Sequence, residues 1–156
     1  MLKTEGLHHP KALEAIGNNW RSDSLVPGMS VVVIPIHSDN YVWLLHDKAH
    51  AWVFDPGNAE PIIDYLRQEQ LTLKGVMITH SHWDHVNGID ALVSAYPAPV
   101  YGPANIHAGI DQPVTQGDAI NAGPLRFEVH ETPGHMAEHL SFFEASRQLL
   151  FCGDTL

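Results

Sequence analysis

The segment Thr79-His80-Ser81-His82-Trp83-Asp84-His85 constrains this chain more than any other. It follows Gly75–Ile78, a short apolar run suited to a buried sheet position. His80 and His82 stand at i and i+2, so in extended chain both imidazoles leave the same side of the backbone. Asp84 and His85 come as the chain turns toward a helix and can point at a second position beside the first. Imidazole and carboxylate suit zinc, iron or manganese, and two-metal hydrolases hold their ions about 3.5–4 Å apart.

Two further segments supply what this cluster lacks. Leu125–Glu131 alternates, with Leu125, Phe127 and Val129 on one face and Arg126, Glu128 and His130 on the other, as a half-buried strand does. Thr132-Pro133-Gly134-His135 closes that strand with a tight turn and delivers one more imidazole. Phe151-Cys152-Gly153-Asp154 closes the last strand with a carboxylate, which can bridge two cations with one oxygen on each. Either segment alone would read as an ordinary strand end; together with the first they make a six-residue donor set.

The rest of the chain supports a sheet-rich α/β domain. Val31–Ile36, Tyr41–Leu45 and Ala51–Phe54 read as strands, the last ending at the turn Asp55-Pro56-Gly57. Asn58 caps an expected helix over Ala59–Gln70, with Ile62, Ile63 and Leu66 on one face. A second helix is expected over Ile89–Ala95, a short strand at Pro99–Tyr101, and a hairpin from Leu140–Phe143 and Leu149–Cys152. Strands dominate and helices follow strands, which fits an α/β sandwich with a mixed sheet. Residues 1–28 carry no motif beyond one short helical possibility at Lys11–Ile16, so they read as a leader or extension, and the domain is expected to run over 29–156.

Composition excludes several functions. The chain has 156 residues, eight Lys and Arg against 18 Asp and Glu, and a formal net charge of −10. A broad phosphate-binding surface, and with it a nucleic-acid partner, is not expected. No apolar run reaches the ~18 residues of a membrane span. The one cysteine, Cys152, allows no intrachain disulfide and fits a reducing, cytoplasmic setting. The twelve histidines are spread along the chain, unlike a tag.

These residues resemble the metallo-β-lactamase superfamily and, within it, the glyoxalase II (hydroxyacylglutathione hydrolase) family. The resemblance covers Val31 to Leu156. It rests on Ser38-Asp39-Asn40-Tyr41-Val42-Trp43, Phe54-Asp55-Pro56-Gly57, the Thr79–His85 motif with Asn87-Gly88, Val100-Tyr101-Gly102-Pro103, Thr132–His135, and Phe151-Cys152-Gly153-Asp154-Thr155-Leu156. It implies the N-terminal and central portion of an αββα sandwich. It further implies that His80, His82 and His135 hold a first metal, Asp84 and His85 a second, and Asp154 both. The implied cofactor is a pair of zinc ions, with iron or manganese as alternatives. The implied reaction is metal-assisted hydrolysis of a glutathione thioester, with Asp84 and Asp154 the carboxylates closest to the chemistry.

The resemblance also marks what differs. The family's second-site histidine, the remainder of its sandwich, its helical C-terminal domain and its glutathione-holding residues would all fall after Leu156. The second metal site is therefore expected to be incomplete, and an open sheet edge is expected to favour self-association. Met136 and Glu138 stand where the family commonly has Thr and Gly. Other activities of the superfamily remain open, namely lactonase, β-lactamase and persulfide dioxygenase, as does a fragment that binds metal without turnover. Cys152 reads as a small core thiol, Trp83 as a packing residue, and His139 as an outer-shell or surface residue. His130 reads as solvated, and His8, His9, His37, His46, His50 and His107 as surface residues.

Overall fold

The continuous, largely β-branched apolar run Val31–Ile36, with its neighbours, builds a seven-stranded sheet in the computed structural model, which describes residues 20–156. Its strands are β1 (Trp20–Val26), β2 (Met29–Ile36), β3 (Asn40–His46), β4 (His50–Phe54), β5 (Thr72–Met77), β6 (Val100–Gly102) and β7 (Gln112–Pro113), in that spatial order. β1 to β4 pair antiparallel, and β4 to β7 pair parallel. A second, antiparallel sheet has the order β11-β10-β9-β8, from β8 (Ala119–Ala122), β9 (Leu125–Glu131), β10 (Leu140–Glu144) and β11 (Leu149–Phe151).

Helix α1 (Ala59–Gln68) and helix α3 (Ile89–Ala95) cover one face of the large sheet, placing Ile62, Leu66, Ile89 and Leu92 against Val32, Leu44, Val53 and Val76. The second sheet covers the other face, so the described residues form helix, sheet and sheet layers. Four phenylalanines join the two sheets. Phe54 stacks on Phe151 at 3.8 Å and 12°, and meets Phe127 and Phe142 edge-on. Burying four such rings contributes on the order of 6–12 kcal/mol before entropy is counted.

Several local expectations change. Among the described residues the sheet begins at Trp20, upstream of the boundary expected at Met29: β1 pairs with β2, and Val26 is fully buried. The possible helix at Lys11–Ile16, with His8 and His9, lies outside the described residues. Helix α1 has the expected Asn58 cap, whose side chain accepts from Glu60 N–H, but it stops at Gln68. There Gln70 enters the left-handed region (φ 56°), and the N–H groups of Gln70 and Leu71 return to Arg67 and Leu66, which closes the last turn. Between β5 and α3 the chain makes a single helical turn, α2 (Trp83–Val86). β7 and β8, of two and four residues, are too short to be read in advance. No helix among the described residues is long and apolar enough to cross a membrane.

Candidate metal centre

The carboxyl ends of the parallel strands β4 and β5 lie side by side, and the chain leaves each into a polar loop. β4 leads into Asp55 and β5 into Thr79–His85. Crevices at such strand ends are where open α/β sheets bind ligands. The antiparallel strand β3 starts at the same edge with Asn40. From the second sheet, the β9–β10 connection delivers His135 and the segment after β11 delivers Asp154.

Six of the expected donors converge. His80 Nε2 stands 3.1 Å from His82 Nδ1, and His135 Nε2 stands 2.9 Å from the same atom. Asp154 Oδ2 lies 3.7 Å from His80 Nε2 and 3.3 Å from His135 Nε2. The four donor atoms all fall within 4.8 Å of one another. On the other side, His85 Nε2 lies 3.3 Å from Asp154 Oδ1 and 3.6 Å from Asp84 Oδ2. Asp154 thus turns one oxygen to the three-imidazole group and the other to His85.

The donor set fits a divalent cation. Nitrogen and oxygen donors about 2.0–2.1 Å from a tetrahedral zinc stand roughly 3.4 Å apart. The separations of 2.9 to 3.7 Å bracket that value. Burial is the main force holding the His80 imidazolium off, with repulsion from His85 beside it, and lowers its pKa to about 4. His80 is therefore a neutral imidazole at pH 7, which is the ligating form. Burial also opposes charge on His85, but its hydrogen bonds to Asp154 and Asp55 prevail and raise it to about 10. The same contact with His85 pulls Asp154 down to about 2. Without an ion, the His85 imidazolium is the positive charge among these carboxylates, and a cation at its Nε2 competes with that proton.

The groups that aim these donors carry no metal-ligand motif of their own. Asp55 is buried and accepts from Thr79 N–H (2.7 Å), Thr79 Oγ1–H (2.7 Å) and His85 Nδ1 (2.9 Å), so His85 presents Nε2 to the centre. Asp55 with His80 and His85 forms a second, fully buried donor group. Its carboxylate is already committed to these hydrogen bonds. Asn40 Nδ2 donates to Asp84 Oδ2 at 3.0 Å and to the Asp84 carbonyl at 3.1 Å. Gly57 makes the approach possible, since a Cβ there would stand 1.7 Å from the Asp84 carbonyl oxygen. The only advance signal was a polar residue at the end of an apolar strand.

The neighbouring histidines and Trp83 sort as follows. His139 is fully buried, stacks on His80 at 4.8 Å and 25°, and contacts Thr132 Oγ1 at 3.0 Å, which places it in the outer shell. His46, expected at the surface, is buried, with Nε2 against the Tyr65 hydroxyl at 3.0 Å and Nδ1 against the Asp47 carbonyl at 2.6 Å. Trp83, expected as a packing residue, is 59% exposed and, among aromatic neighbours of the described residues, rests on His37. Cys152 is half-buried just beyond β11, and burial raises its thiol pKa.

Known proteins are similar to this chain in sequence and in fold. The chain spans about half the length of the curated relatives it matches. A hydroxyacylglutathione hydrolase of Hahella chejuensis is 43% identical over 130 residues, 81% of this chain and 51% of the relative. One of Pseudoalteromonas translucida is 46% identical over 132 residues, 82% and 51% respectively. Among solved structures, the B3 metallo-beta-lactamase BLEG-1 superposes with a TM-score of 0.71 at 29% identity, over 80% of this chain and 71% of that one. ETHE1 from Myxococcus xanthus superposes with a TM-score of 0.62 at 26% identity, over 88% and 57%. The Metallo-beta-lactamase superfamily model matches residues 37–156, which takes in every donor described above, and the chain belongs to that superfamily.

Proposed function

We propose that this chain is the metal-binding part of a hydroxyacylglutathione hydrolase, which splits glutathione thioesters such as S-lactoylglutathione into a hydroxy acid and glutathione. The observation that carries the reading is Asp154, with one oxygen 3.3 Å from His135 and the other 3.3 Å from His85. In this assignment His80, His82 and His135 hold one ion, Asp84 and His85 hold a second, and Asp154 serves both. Zinc is the first choice for the donor chemistry, and iron or manganese would also be accommodated. The ions, once bound, supply a water of lowered pKa and a positive field for the oxyanion that forms. The chain's own part is to fix donors in place. Asp55 orients His85, Asn40 holds Asp84, and burial keeps His80 unprotonated.

Identities of 43% and 46% to hydroxyacylglutathione hydrolases favour a thioester over a lactam as substrate, against 29% for the B3 lactamase. The net charge of −10 argues against nucleic acid as partner. The half-buried thiol fits the reducing cytoplasm. The short edge strand β11 is the place through which copies would associate.

Elemental analysis and a substrate panel test the reading. Purified protein should hold closer to one tightly bound metal than two, since among the described residues the second group offers Asp84, His85 and the shared Asp154. Thioester hydrolysis, however slow, should exceed lactam hydrolysis. It should be lost on Asp154→Ala by more than the about 10- to 100-fold expected for an outer-shell change such as His139→Ala. Protein that retains no metal, or that prefers a lactam, would refute it.

A further inference from the structure

Between the two metal-ligand histidines of the first loop, Ser81 points the opposite way, as alternation in extended chain requires. Its environment is not solvent alone. Ser81 Oγ donates to Glu138 Oε1 at 2.6 Å, and Ser81 N–H donates to the same oxygen at 3.2 Å. Glu138 is half-buried, and its pKa lies below the usual glutamate value, chiefly through the Ser81 hydroxyl. Glu138 lies in the loop that carries His135, so one carboxylate ties together the two loops that supply all three imidazoles of the first group.

The position of this tie follows from the pairing beside it. Leu140 N–H donates to the Thr79 carbonyl at 2.8 Å, bringing the start of β10 alongside the end of β5. Two residues further along each chain, where an antiparallel ladder would set its next bond, Ser81 N–H meets the Glu138 carboxylate. The side chain thus spans a gap that opens as His135 and its loop swing out over the centre. Thr132 N–H to the His139 carbonyl (2.9 Å) closes the base of that loop. Loop base and carboxylate tie together leave His135 little freedom relative to His80 and His82.

We propose that Glu138 is a positioning residue for the first metal position: it locks Ser81, and so fixes His80 and His82 against His135 before an ion arrives. The inference rests on the metal-centre reading above. It differs from a purely electrostatic role for the carboxylate, because both bonds land on one oxygen that an amide would also provide. A preset donor cage raises affinity by lowering the ordering cost of binding.

The test is zinc affinity of the full chain, measured by competition with a chromophoric chelator, with the visible spectrum of the cobalt-substituted protein as a second readout. Glu138→Ala should weaken zinc by about 10- to 100-fold, as lost outer partners do. Its cobalt spectrum should also broaden or shift, while the metal-free melting temperature stays near that of the parent. Glu138→Gln should stay within about three-fold of the parent, because the acceptor oxygen survives. Ser81→Ala should fall between, and Ser81→Ala with Glu138→Ala should be no worse than Glu138→Ala alone. Parent affinity in Glu138→Ala, a Gln variant as weak as the Ala variant, or additive losses in the double variant would each overturn the tether. If Glu138→Ala does not fold without metal, Ser81→Ala decides, and unchanged affinity there overturns the tether too. A parent chain that holds no zinc would overturn the metal centre itself, and this inference with it.

Discussion

His80 and His85 stand at the end of the first sheet with side chains 0% and 4% exposed, whereas His135 and Asp154 come from the second sheet and are 34% and 38% exposed. The first pair is clamped by Asp55, Thr79 and the stacked His139, all of them buried. The second pair rides on loop chain, with His135 tied through the base of its loop and Glu138, and its side chains stay partly open to solvent. One half of the centre is therefore part of the folded core, and the other is closer to a ligand of that core. The same donor chemistry carries a large folding cost if removed from the first half and a small one from the second.

Asp55→Ala gives the largest expected effect. It strips the acceptor from Thr79 N–H, Thr79 Oγ1 and His85 Nδ1 in a site closed to water. Removing one partner of such a buried pair costs about 3–5 kcal/mol, which urea denaturation of the metal-free protein would register. A loss below about 1 kcal/mol, within the range of an ordinary exposed site, would erase the distinction between the halves.

The pH profile is intermediate. His85 carries a folded pKa of about 10 against an ordinary 6.5, so its contribution is complete below pH 6.5 and is lost as pH rises through 10. His80, lowered to about 4, works the other way. Its contribution is complete above pH 6.5 and is lost as pH falls toward 4. Asp154, lowered to about 2, contributes above its ordinary 3.8 and loses that as pH falls through 2. Metal-free protein should therefore melt highest near pH 6.5 and lower on both sides. Melting temperatures that keep climbing from pH 7 to 10 would show that His85 is not the charged partner of Asp154.

The smallest effect belongs to His135→Ala. With its side chain a third exposed, it should change metal-free stability by no more than about 0.5 kcal/mol while zinc binding is lost. Matched chemical denaturation and chelator competition would separate the two quantities. A large stability loss here would mean that the exposed half is as much a part of the core as the buried one.

The six residues that converge were legible as a candidate set, because a dense run of His and Asp after an apolar strand has few other uses, and the strand ends at His135 and Asp154 follow the same grammar. Asp55, Asn40 and Glu138 were not legible as site residues. Their bonds cross 24 to 57 residues of chain, from Asp55 to Thr79 and from Glu138 to Ser81, and leave no local pattern. His46 hid for the same reason, since its burial depends on Tyr65 in a helix 19 residues away. Trp83 misled in the opposite sense. A large aromatic inside a motif suggests packing, but α2 is a single turn and presents that residue outward. β1 escaped notice because its partner in the sheet lies on the far side of a boundary drawn from motifs alone.

Phe54 immediately precedes Asp55, and Phe151 comes three residues before Asp154. The stack of these two rings, with centroids 3.8 Å apart, therefore acts as a caliper whose jaws end at Asp55, which aims His85, and at Asp154, which faces both donor groups. Close-packed interiors pass displacement along rather than absorb it, so the width of that stack is felt at the donors. Exchanging a ring for a branched side chain would shift Asp154 relative to His85, with every donor unchanged. Aligning donors would then miss the difference, and the place to look for it is the aromatic spacer behind them.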